Sequence, residues 1–152
     1  MTDLRESALI VLYDSDCGFC KVMLAVLLSW DRGRRLTPLP IQSSSGEELL
    51  SGMSPSDRLA SWHLIDGAGE VRSAGAGLPV IFAALPAGSA IARLASRFPS
   101  TTSLLYEWVA AHRGVLARPL SARARAWASG VIAERTSSGV DISDRAHEHD
   151  GS

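Results

Sequence analysis

At 152 residues the chain is long enough to bury one hydrophobic core and short for two domains. Its make-up, 46% hydrophobic and 20% charged, is that of a globular protein and not of a disordered one. A formal net charge of −1 speaks against a general nucleic-acid binder, which needs a strongly basic face.

Residues 1–7 read as a loose leader. The apolar run Ala8–Leu12 that follows Asp3, Glu6 and Ser7 is too short for the core of a secretory signal, so none is expected. Residues 8–13 are β-rich and uninterrupted, the pattern of a strand buried on both faces. Residues 17–30 predict a helix whose stretch Val22–Leu28 is apolar on nearly every side, as expected for a helix packed on a sheet. That stretch is far short of the roughly 20 residues a membrane helix needs. Asp31-Arg32-Gly33-Arg34-Arg35 closes the helix, with Gly33 as the C-terminal cap and the arginines complementing the helix dipole.

Leu36–Ile41 predicts a second short strand, with Pro38 and Pro40 restricting it to a sheet edge. Ser45 and Glu48 form a capping-box pattern for a short helix reaching about Leu50. Trp62–Asp66, Gly67-Ala68-Gly69 and Glu70–Ser73 make the clearest hairpin in the chain. Helical patterning then runs to Leu85, from Ala90 to Arg97, from Thr101 to Arg113 with a cap at Ser100, Thr101 or Thr102, and over 119–135. From about Thr136 the chain turns polar and acidic, and 136–152 is expected to be a disordered tail. Residues 8–135 thus form one domain. Strand, helix, strand, hairpin and helix is an α/β order, and it matches the minimal thioredoxin-like plan of a small central sheet flanked by helices, here with a C-terminal helical extension.

The chemistry concentrates at the first strand-to-helix turn, Tyr13-Asp14-Ser15-Asp16-Cys17-Gly18-Phe19-Cys20-Lys21, which holds both cysteines of the chain and its single lysine. A thiolate, not a thiol, attacks disulfides, and a helix N-terminus favours the anion through its unpaired N–H groups. Cys17, in the first turn, is the expected attacking thiol. Cys20, three residues on and on the same face, is the expected resolving thiol. Asp16 reads either as an N-cap accepting the Phe19 N–H or as a proton-transfer group. Asp14 reads as a turn former or an active-site acid. Phe19 is a docking surface or a core residue, Lys21 a solvated charge, and Tyr13 a packed strand end.

The string from Tyr13 to Cys20 resembles the opening motif of the DCC family of thiol-disulfide oxidoreductases, Tyr-Asp-x-Asp-Cys-x-x-Cys directly after a first strand. Trp62–Asp66 with its glycine turn and Gly75 look like that family's middle hairpin, and Ser103–Arg113, with Tyr106, His112 and Arg113, like its late helix. The resemblance covers roughly residues 8–117. It implies a thioredoxin-like fold, Cys17 and Cys20 as the redox pair, and Asp14 and Asp16 as the signature acids. Thioredoxins place a cis-proline before the third strand to guide the partner's backbone. Here Leu59-Ala60-Ser61 precede Trp62, with no proline.

These readings converge on a cytoplasmic enzyme that exchanges thiols and disulfides with protein or small-molecule partners, without a bound cofactor, nucleic acid or membrane span. Two rivals stand beside it. A zinc site would need two more ligands beside the cysteines, drawn from His63, His112, His147 and His149. A non-catalytic interaction domain would use Trp62, Trp108, Trp127 and the arginine-rich helix 119–135, residues whose plainer reading is core tryptophans and a solvated face.

Overall fold

The computed structural model describes residues 8–147, with side chains described as far as residue 137. The strands are β1 (Leu9–Tyr13), β2 (Leu36–Pro40), β3 (His63–Ile65) and β4 (Val71–Ser73). They form one sheet in the order β2-β1-β3-β4. β1 and β2 run parallel, and β3 is antiparallel to both β1 and β4. Around the sheet lie α1 (Gly18–Trp30), α2 (Ser44–Leu49), α3 (Pro55–Ala60), α4 (Leu78–Ala84), α5 (Ser89–Arg97), α6 (Pro99–Leu116) and α7 (Ala122–His147). This mixed sheet with its flanking helices is thioredoxin-like.

The central position of β1 follows from its composition. Its residues alternate between two cores: Leu9, Val11 and Tyr13 face one side, and Leu12 faces the other. The first core adds Leu24 and Leu28 of α1, Ile81 of α4 and Leu85 just after it, and Ile132 of α7. The second adds Ile41, Leu50 and Ile65, with Met53 packed against them. A strand without a polar face fits only between two covered layers.

β2 sits at the edge, as its prolines require. Leu9 N–H donates to the Arg35 carbonyl (2.7 Å) and Ile41 N–H donates to the Tyr13 carbonyl (2.9 Å). Odd-numbered residues of this strand therefore face β1, which leaves Pro38 and Pro40 turned to the open edge where no N–H is needed.

Several local expectations change. The N-cap of α2 is Ser43, whose hydroxyl accepts from Gly46 N–H, and not Ser45. Helix α3, capped by Ser54, was not read from the sequence. α6 begins at Pro99, a residue with no N–H to leave unsatisfied at a first-turn position, and Phe98 precedes it, so no hydroxyl at 100–102 caps it. Asp31, and not Gly33, closes α1, and the left-handed residue after it is Arg34 at φ 52°. α7 continues to His147, past residue 135 where the polar tail was expected to begin, and residues 148–152 lie outside the described residues.

Asp31 closes α1 because it is buried and fully used. Its Oδ1 accepts from Arg35 N–H (3.1 Å) and its Oδ2 from Leu36 N–H (2.8 Å). Arg135 of α7 then donates from Nη1 to Asp31 Oδ2 (2.6 Å) and from Nη2 to the Leu28 carbonyl (2.7 Å). The guanidinium thus satisfies both the carboxylate and one of the orphan carbonyls at the end of α1. α7 lies along α1 and is fastened there by this pair.

Candidate functional site

Cys17 and Cys20 are joined by a disulfide, with their Cα atoms 5.2 Å apart. Cys17 is the N-cap of α1 itself, with extended backbone, and its Sγ accepts from Cys20 N–H at 3.2 Å. This corrects the expectation that Asp16 caps the helix. The first turn of α1 holds no acidic residue. The sulfur occupies the position where a capping oxygen would normally sit, so its acceptor capacity is turned to an orphan backbone donor.

The loop before Cys17 is held by a residue the sequence reading passed over. Gln42, two residues beyond β2, donates from Nε2 to Asp14 Oδ1 at 2.7 Å. Its Oε1 accepts from Ser15 N–H (3.1 Å) and Ser15 Oγ (2.9 Å). Asp14 Oδ1 also accepts from Asp16 N–H (3.0 Å), and the Asp14 carbonyl accepts from Cys17 N–H (3.3 Å). Of the two roles open to Asp14, these contacts are those of a turn former: a short side chain bonding its own backbone two residues on. The signal for Gln42 was the register. Tyr13 pairs with Pro40, so the residue two positions past each strand meets its counterpart at the same end of the sheet.

Tyr13 is buried at the end of β1, and that burial raises its phenol above the ordinary value. Trp62 lies at the position before β3, one residue beyond the Leu12–His63 pair. Its N–H donates to the Tyr106 hydroxyl of α6 (3.4 Å), and its ring presses on the backbone at Gly77. Burial raises the Tyr106 phenol. The opposing effects of the Trp62 N–H, the Arg113 charge and the Ser61 hydroxyl are smaller. No cis peptide bond occurs among the described residues.

Lys21 and Asp16, the chain neighbours of Cys20 and Cys17, border an open cleft of about 340 Å3 together with Ser15, Gly18, Ala117 and Arg125. Arg125 comes from α7, where Ser121 caps the helix start through its hydroxyl to Ala124 N–H. The Arg125 side chain reaches the backbone of Gly18, so that a Cβ there would meet Nε at 3.7 Å.

The histidines considered as zinc ligands are engaged elsewhere. His63 is buried, with Nδ1 at 2.6 Å from Ser73 Oγ and Nε2 at 2.9 Å from the Arg58 carbonyl. The carbonyl can only accept, so Nε2–H donates to it. His112 Nδ1 donates to the Trp108 carbonyl, and its ring stacks on Trp108. The side chain of His147 and the whole of His149 lie outside what is described. Among the described residues no three His, Cys, Asp or Glu side chains gather as a metal site.

Of the three tryptophans, Trp62 packs against the first core as its plainer reading has it, and the other two do not. Trp108 is 55% exposed and Trp127 45%. Trp108 shares an exposed stripe of α6 with Leu104, Leu105 and Val115, and no residue of α6 is fully buried.

Against known proteins, a family model described as DCC1-like thiol-disulfide oxidoreductase matches residues 11–119, from β1 through the end of α6. No curated protein and no solved structure matches the chain. Among the described residues, no helix is long and apolar enough to cross a membrane.

Proposed function

Since the chain belongs to the DCC1-like thiol-disulfide oxidoreductase family, we propose that it works by dithiol–disulfide exchange through Cys17 and Cys20. The observation that carries this reading is the disulfide at the start of α1, with Cys20 N–H directed at Cys17 Sγ. When the pair is reduced, that N–H and the field of the helix end stabilise an anionic sulfur at Cys17. The Cys17 thiolate attacks a partner disulfide, whose bond breaks to release one partner thiolate. Cys20 then attacks the mixed disulfide, closing the Cys17–Cys20 bond and releasing the second partner thiol. Two electrons pass to the partner, and the direction reverses with a more oxidised pool.

Asp14, Ser15 and Gln42 hold the loop so that Cys17 meets the helix start in one geometry. Asp16, in the cleft beside the pair, is the acid placed to exchange a proton with an incoming thiol. The partners are protein or small-molecule thiols and disulfides, no cofactor is required, and the setting is the reducing cytoplasm.

The test is equilibration of purified protein in graded glutathione buffers at pH 7, with alkylated thiols counted by intact mass. A reversible two-thiol transition is expected. Cys17→Ser should abolish exchange, and Cys20→Ser should accumulate mixed disulfides. A pair that stays in one state across the range, or equal exchange in both variants and the parent, refutes the reading.

A second reading, a thioredoxin-like binding module with idle cysteines, is favoured by the exposed Leu104, Leu105, Trp108 and Val115. The α5–α6 segment carrying them holds Arg93, Arg97 and Arg113 against the single acid Glu107, so its partner would be an acidic protein surface. That reading predicts capture of such a partner unchanged by removal of both thiols.

A further inference from the structure

The cleft beside the disulfide has a chemical character of its own. Its two cations come from helices that no local sequence signal connects: Lys21 from α1, one residue past Cys20, and Arg125 from the first turns of α7. Neither cation has a carboxylate within ion-pair distance among the described residues. The ion pairs there are Arg34–Glu134, Arg72–Asp66, Arg72–Glu70 and Arg135–Asp31. The cleft therefore sets two cations against one acid, Asp16, a net charge of +1 in a protein of net −1. Its floor passes Gly18, between the two cysteines, where the absent side chain leaves the Arg125 guanidinium close to the backbone.

We propose that this cleft receives the carboxylate of an anionic thiol or disulfide substrate, with Lys21 and Arg125 as its specificity-determining residues. The inference rests on the exchange reading above and adds the substrate class to it. A substrate whose carboxylate lies between Lys21 and Arg125 brings its sulfur to the Cys17–Cys20 bond over the distance of a few bonds. In the reductive direction its thiolate attacks Cys17 Sγ, the protein S–S bond breaks, and Cys20 leaves as a thiolate that takes up a proton. A second substrate thiolate attacks the substrate sulfur of the mixed disulfide, releasing the substrate disulfide and the Cys17 thiolate. Two substrate thiols are oxidised and one protein disulfide is reduced. Asp16 on the rim opposes the same carboxylate, so its removal strengthens the preference.

The test is stopped-flow reduction of the oxidised protein by three thiols of similar size: 3-mercaptopropionate (anionic), 2-mercaptoethanol (neutral) and cysteamine (cationic). Each rate is divided by that thiol's rate with a small aromatic disulfide, which removes differences in intrinsic nucleophilicity. The expected order is anionic over neutral over cationic, collapsing in high salt. Arg125→Gln and Lys21→Gln should each lower the anionic rate about threefold, the Boltzmann factor for unit charges about 6 Å apart in water. 2-Mercaptoethanol also attacks as a thiolate, so its rate falls by less and the anionic-to-neutral ratio drops, while an unchanged urea midpoint controls for folding. Asp16→Asn should raise the anionic-to-neutral ratio by a similar factor. Equal normalised rates for the three thiols, or an anionic rate indifferent to both substitutions, overturns the subsite while leaving the exchange reading standing. Failure of all three thiols to reduce the protein overturns the exchange reading itself.

Discussion

Arg135→Met removes the guanidinium that fastens α7 to the end of α1 while keeping most of the side-chain volume. The Asp31 side chain is wholly buried and that of Arg135 is only 12% exposed. The substitution leaves a buried carboxylate and strips the Leu28 carbonyl of its donor. Removing one partner of a buried pair costs about 3–5 kcal/mol, because the other charge stays behind. Asp31 keeps the Arg35 and Leu36 N–H groups. Those donors hold the cost at the lower end, about 3 kcal/mol, which for a domain of this size is a fall in Tm of roughly 6–12 °C. The assay is urea unfolding of the oxidised protein followed by tryptophan fluorescence, with the midpoint falling and the m-value unchanged. Asp31→Asn with Arg135→Met should cost about 1–3 kcal/mol less than the sum of the two single changes. A loss below about 1 kcal/mol, the range of an exposed ion pair, would refute the argument that this contact anchors α7.

Other expectations are open to simple measurements. Gly77→Ala places a Cβ at 2.7 Å from Trp62 Cη2, and should destabilise by about 1–3 kcal/mol through overpacking in urea melts. Leu12→Ala, at a side chain with no exposure, should cost about 2–5 kcal/mol, and a smaller loss would mean that the second core collapses around the gap. Gln42→Ala removes the amide spanning Asp14 and Ser15 at an exposed position. The unfolding free energy from urea melts should fall by only about 0.5–1.5 kcal/mol while the exchange rate falls several-fold, and an unchanged rate would deny the loop its positioning role. Burial raises the Tyr106 phenol above the ordinary 10.0. The unfolded chain then ionises first, so this stabilisation is whole below pH 10 and is lost as pH rises through the higher folded value. Tyr106→Phe should therefore flatten the alkaline fall in stability seen in urea midpoints taken above pH 9.

Much of the architecture was legible along the chain because it depends on neighbours in sequence. The uninterrupted apolar run of β1 demanded two covered faces. The glycine turn at 67–69 announced the β3–β4 hairpin, and Pro38 and Pro40 put β2 at an edge. The Cys17–Cys20 spacing, directly after a strand, marked the one place where two thiols return to the same face of a helix. Local preference also misled. An aspartate beside a helix start is a better cap than a cysteine on propensity alone, yet Asp14 takes the Asp16 N–H and Cys17 Sγ takes the capping role. Trp108 and Trp127 looked like core residues by type, whereas helix packing leaves both on the surface.

Only the tertiary structure brought together groups far apart in sequence. Gln42 reaches Ser15 across 27 positions because parallel β1 and β2 end at the same level. Arg135 reaches Asp31 across 104 positions because α7 lies along α1. Arg125 comes to the cleft beside the cysteines for the same reason. Periodicity and turn chemistry specify which face of an element is apolar and where it stops. They carry no information about which distant residue meets that face, a matter decided by strand register and helix packing once the cores of both sheet faces close.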